Sequence, residues 1–119
     1  VSNTITALSI DSANAVSLAR FWADALGRDI APDADARHAV VDIDRATTAS
    51  VPRLVFHQVP EGKAIKNRLH LDLLTGDFES EIARLTALGA TRLRDLEQNG
   101  ARWTTLADPE GNEFDLISG

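Results

Sequence analysis

The stretch Arg68-Leu69-His70-Leu71-Asp72-Leu73-Leu74 decides how this chain is read. Alternation sets Leu69, Leu71 and Leu73 on one face of a strand, and Arg68, His70 and Asp72 on the other. The period then changes. Asp77 can cap a helix, and Glu79 and Glu81 fall in its first turns, where carboxylates complement the helix dipole. Ile82, Leu85 and Leu88 form an apolar stripe, and Gly89 ends it. The leucines should pack against helices. The opposite face is then polar, with a His and an Asp two residues apart. A sheet covered on one side leaves its other side free. If that side curves, it makes a cup for a small polar ligand; the same alternation also fits a face that is merely solvated.

Working outward, the same order of elements occurs earlier in the chain. Asn3 to Ile10 reads as a strand, and Ser12 or Asn14 can cap a helix after it. Val16, Ala19, Phe21, Trp22, Ala23 and Leu26 form its stripe, with Phe21 and Trp22 as core residues, and Gly27 ends it. Ala25-Leu26-Gly27 matches Ala87-Leu88-Gly89, a repeat of about 60 residues, too long for a solenoid unit. Strand-like runs follow each helix. They are His38 to Asp44 and Arg53 to Val59 in the first half, and Thr91 to Leu96, Arg102 to Ala107 and Glu113 to Ile117 in the second. Ile30 to Arg37 reads as an irregular loop and Pro60 to Lys63 as the linker. Asp108 to Asn112 is dense turn chemistry. The expectation is one α+β domain over 1–119, with module one at about 3–59 and module two at about 68–118.

Composition bounds the function. With 119 residues the chain has the size of one domain. Its 18 carboxylates against 12 Lys and Arg give a net charge of −6 and no basic stripe, which disfavours nucleic acid. Six aromatic residues make a poor base-stacking platform. There is no Cys, so thiolate metal sites, disulfides and a cysteine nucleophile are excluded. No apolar run approaches the roughly 20 residues that span a bilayer, and the first ten residues do not resemble a signal peptide. A cytoplasmic protein without membrane partners is expected. No Gly-x-Ser-x-Gly elbow or Gly-rich phosphate loop occurs. Arg53, Lys63, Lys66 and Arg68 form the one cationic cluster, read as solvated linker charge.

Several pieces together resemble the vicinal oxygen chelate superfamily, in its glyoxalase-like or bleomycin-resistance-like group. They are Ala15 to Gly27, Arg53-Leu54-Val55-Phe56, Val59-Pro60-Glu61, Lys66 to Leu73, Ala87 to Thr91, and Leu106 to Phe114. They span nearly the whole chain in the family's order. The resemblance implies two βαβββ modules whose mixed sheets curl round a cavity, and pairing of two chains as a homodimer. Members include metal-dependent lyases, isomerases and dioxygenases, and metal-free proteins that sequester antibiotics, so fold alone does not give function.

In metal-dependent members the ligands sit on the first and last strand of each module. Carried onto this chain, those positions are Ala7, His57, His70 and Asp115. Ala7 has no donor atom, His57 stands where many relatives carry Gln, and Asp115 is shorter than the usual Glu. Two readings follow. In the first the cavity is metal-free and no cofactor is needed. His57, Asp72, Trp103 and Asp115 then line a small-molecule site, and His70 is the candidate catalytic group. In the second a divalent metal is held by His57, His70 and Asp115, the composition of a facial triad. All three must then approach one ion at about 2.0–2.2 Å. The first is the expectation and the second its alternative. Trp103 can either stack on a flat ligand or fill the core. If His57 faces the cavity, Phe56 packs under the helices. His38 reads as a rim residue.

Overall fold

A computed structural model describes residues 2–42 and 52–119. They form an α+β fold with seven strands and two helices, in two compact units, Val1–Gly62 and Lys63–Gly119.

The first unit contains β1 (Ala7–Ser12), α1 (Ala15–Leu26), β2 (His38–Val41) and β3 (Arg53–Gln58). β3 is central, parallel to β1 and antiparallel to β2. Asn14 is the N-cap of α1, and its side chain accepts the Ser17 N–H at 3.2 Å. Gly27 ends the helix with φ 64°, a left-handed conformation that glycine adopts without penalty. The buried face of α1 is Ala15, Leu18, Ala19, Phe21, Trp22 and Ala23. Val16 and Leu26, expected on that stripe, are only half-buried, and Ala15 and Leu18 take their place. Phe21 and Trp22 meet edge to face at 5.3 Å. Beneath them lie Ala39, Val41, Leu54 and the fully buried Phe56. The first strand begins four residues later than the expected Asn3 and runs on to Ser12, where the β3 ladder ends. Ile43 and Asp44, placed in a strand by sequence, lie outside the described residues.

The second unit contains β4 (Asp72–Thr75), α2 (Phe78–Leu88), β5 (Thr91–Gln98), β6 (Ala101–Ala107) and β7 (Glu113–Ser118), in sheet order β4-β7-β6-β5. β4 and β7 are parallel; the other pairs are antiparallel. Asn99 and Gly100, at φ 53° and 81°, make the two-residue hairpin turn between β5 and β6. Phe78, Ile82 and Leu85 of α2 are buried, as are Leu106, Phe114 and Leu116 on the sheet.

The expected strand from Arg68 is corrected here, because the ladder starts only at Asp72. The Asp115 N–H donates to the Leu71 carbonyl at 3.0 Å. A continued ladder would send the Glu113 N–H to Leu69. That N–H instead donates to the Asn67 side chain at 3.0 Å. Asn67 takes the bond that would lengthen the strand, and the backbone before Leu71 leaves the sheet. Leu69 is therefore 85% exposed rather than packed against a helix.

Candidate functional site

The second sheet divides its residues by face. Phe114, Leu116, Leu106 and Thr104 are buried on one side, and alternation turns Asp115, Thr105 and Trp103 to the other. On that open side Asp72 lies opposite Asp115, which lies opposite Thr105. The next row holds Leu74, Ile117, Trp103 and Leu96. One row is thus polar and its neighbour apolar.

His70 precedes the strand, yet several bonds hold its segment. Asn67 also donates from its side-chain nitrogen to Asn112 Oδ1 at 3.2 Å. Lys66 Nζ lies 2.6 Å from Glu113 Oε2, which Arg94 also approaches at 3.4 Å. The Lys66 ammonium bonded to Glu113 holds that carboxyl below the usual carboxylate range, and the Arg94 charge acts in the same direction. Asn112 is fixed in turn by Asp108, whose buried carboxylate accepts the backbone N–H groups of Glu110 and Asn112, each at 2.9 Å. The turn chemistry at Asp108 to Asn112 thereby anchors the segment that carries His70.

From that anchor His70 Nδ1 reaches Asp72 Oδ1 at 2.9 Å and lies 4.0 Å from Asp115 Oδ2. The Thr105 hydroxyl donates to Asp115 Oδ1 at 2.6 Å. One donor atom each from His70, Asp72 and Asp115 lie within 4.8 Å of one another. This is a compact, partly exposed group of one imidazole and two carboxylates. When Nδ1 carries the proton toward Asp72, Nε2 has its lone pair free to accept a proton or hydrogen bond.

The structure brings His70, Asp72 and Asp115 together. Trp103 shares their face, one row away and half-buried, so it is not a helix-side core residue. His57 lies in the first unit. Phe56 is buried under α1, so His57 faces the opposite side of its sheet. There its ring meets His38, with centroids 5.3 Å apart. The expected triad of His57, His70 and Asp115 is thus not the group that assembles within one unit, where Asp72 supplies the third donor. Arg53 and Lys66 of the expected solvated cluster are paired, with Asp42 at 3.0 Å and with Glu113. Sequence reasoning missed Asn67 and Thr105. Thr105 was accessible to it, since it lies two residues from Trp103 on the same strand face and opposite Asp115 in the β6–β7 hairpin. Asn67 gave no signal, because its role depends on a strand stopping.

Two helix-backed mixed sheets, the second with an imidazole–carboxylate group on its open face, define the class. The chain belongs to the glyoxalase-like domain family, whose model matches residues 7–117. No curated protein matches it in sequence. Among solved structures it is similar to a glyoxalase/bleomycin resistance protein/dioxygenase family enzyme from Burkholderia phytofirmans. The TM-score is 0.75 at 16% identity over 98% of each chain. It is also similar to a glyoxalase/bleomycin resistance protein/dioxygenase from Nocardioides. That match has TM-score 0.74 and 13% identity, covering 99% of this chain and 84% of the other. A lactoylglutathione lyase from Agrobacterium tumefaciens has TM-score 0.66 and 14% identity, covering 98% and 94%. These similarities show a shared fold. No helix among the described residues is long and apolar enough to cross a membrane.

Proposed function

We propose that the chain binds a small molecule on the open face of its second sheet, directly through side chains. The observation that carries this reading is the convergence of His70, Asp72 and Asp115 beside the apolar row of Trp103, Ile117 and Leu74. Two carboxylates and an imidazole favour ligand hydroxyl, ammonium or other donor groups. The adjacent Trp103 offers a surface for an apolar or flat part of the same molecule. His70, oriented by Asp72, is the group placed to take a proton from a bound ligand.

A second reading rests on the same donor atoms. Three donors within 4.8 Å of one another suit a divalent cation, and the two carboxylates offset its charge. His70, Asp72 and Asp115 would hold it, and a bound ion would act as a Lewis acid toward a substrate oxygen. Against this, the resemblance puts Ala7, with no donor, at a ligand position, and His70 Nδ1, the ring nitrogen that faces both carboxylates, already bonds Asp72 Oδ1.

Elemental analysis of protein prepared without added metal separates the two. The first reading expects no stoichiometric divalent ion that depends on His70. A tight, chelator-removable ion that disappears in His70→Ala overturns it and selects the second. Two copies of the chain are also proposed to pair, since Leu69 and Ile65 are each at least 76% exposed. Native mass should then be that of a dimer, and Leu69→Asp should shift it toward the monomer. A wild-type monomer would overturn the pairing.

A further inference from the structure

We infer that the first unit carries a metal site of its own, a cross-strand pair of histidines, His38 and His57, that chelates a borderline divalent transition ion. In the β2–β3 ladder His38 lies directly opposite His57. The Gln58 N–H donates to the Arg37 carbonyl at 2.9 Å, so the Arg37–Gln58 pair is hydrogen-bonded. Pair types alternate along an antiparallel ladder, which makes His38–His57 a non-hydrogen-bonded pair, the kind whose side chains stand closer. Both rings leave the face opposite α1, because their neighbours Ala39 and Phe56 are buried beneath that helix.

The ring centroids are 5.3 Å apart and the planes tilted by 53°. A tetrahedral ion about 2.1 Å from one nitrogen of each imidazole sets the ring centres roughly 5 Å apart. The pair is thus already near chelating separation. His38 is also held from its backbone. Asp35 Oδ1 accepts the N–H groups of Arg37 at 2.8 Å and His38 at 3.0 Å, and the His38 carbonyl accepts the Asp35 N–H. On the other side of His57, Asp11 is its register partner in the parallel β1–β3 ladder and shares its face. The two imidazoles are the donors of the site, since Asp11 does not come within 4.8 Å of both rings, and a pair of imidazoles suits zinc or copper rather than magnesium or calcium. It does not depend on the reading of the second sheet.

The test is titration of Zn²⁺ alone into the full chain carrying His70→Ala, so that the second-sheet group does not contribute. One ion per chain is expected. Adding His38→Ala or His57→Ala should weaken it well beyond tenfold, since even outer-shell partners are worth about 10–100-fold. Circular dichroism should show the fold unchanged, because both rings lie off the core. With Cu²⁺, electron paramagnetic resonance of the His70→Ala chain should report two nitrogen ligands, falling to one in either added variant. Absence of binding in the His70→Ala chain overturns the site, as does affinity unchanged by either added substitution. A small-molecule site on the second sheet would survive both results.

Discussion

The two units repeat one plan and anchor it differently. In the first, α1 buries six residues, including Phe21 and Trp22, and has a side-chain cap at Asn14. In the second, α2 buries three, and Asp77 occupies the cap position without a side-chain cap bond. The chemistry follows the anchoring. The histidines of the first unit sit on regular, fully laddered strands. The histidine of the second hangs from an irregular segment held by Asn67, Lys66 and the Asp108 turn. Regular pairing positions side chains at fixed spacing, whereas leaving the ladder lets one side chain reach back to another strand's row.

The largest expected difference is in the cores. Trp22→Ala should cost about 3–5 kcal/mol, the range for deleting a buried aromatic side chain. Ile82→Ala, on the lightly anchored helix, should fall near the lower end of the roughly 2–5 kcal/mol range. Urea unfolding of both variants checks the ranking, and a larger loss for Ile82→Ala would break it.

An intermediate effect is expected at the segment that carries His70. Asn67→Val removes the acceptor for the Glu113 N–H, at a cost of about 1–3 kcal/mol if that N–H is left unpaired. The Leu69 carbonyl is the natural replacement, and taking it would extend β4 toward Arg68. Amide hydrogen exchange at Glu113 reads this directly. Fast exchange means an orphaned N–H, and restored protection means the longer strand. Either outcome moves His70 relative to Asp72. Protection unchanged together with an unmoved His70 resonance would show that Asn67 does not hold the segment.

That segment also marks where the sequence stops being readable. The two helices, the order of the strands, the Gly27 and Gly89 stops and the polar side of the second sheet follow from period and turn chemistry, which are local. Asp115 and His70 were reachable through the family resemblance. Asp72 was reachable through alternation with His70, although the strand itself begins only at Asp72. What escaped depends on pairing between distant residues. Asn67 competes with Leu69 for a bond 46 positions away, and His38 meets His57 only through the β2–β3 register. Neither register is written in the residues themselves.

The smallest effect concerns the ionic part of the same anchor. Lys66 holds the Glu113 carboxyl below its ordinary value of 4.5, with Arg94 assisting. A carboxyl lowered by folding stabilises the folded state above its unfolded pKa, and that contribution is lost as pH falls through the folded value. Glu113→Gln should therefore be less stable than wild type at pH 7, and the two should converge below the lowered value. Lys66 is largely exposed, so the difference should be small and should shrink with added salt. Thermal unfolding at pH 7 and stepwise through the acid range, at low and high salt, measures it. A gap that stays the same size across the whole range would assign the loss to packing. It would also place the whole hold on His70 with Asn67 and the Asp108 turn, making the second unit's anchor a matter of hydrogen bonds alone.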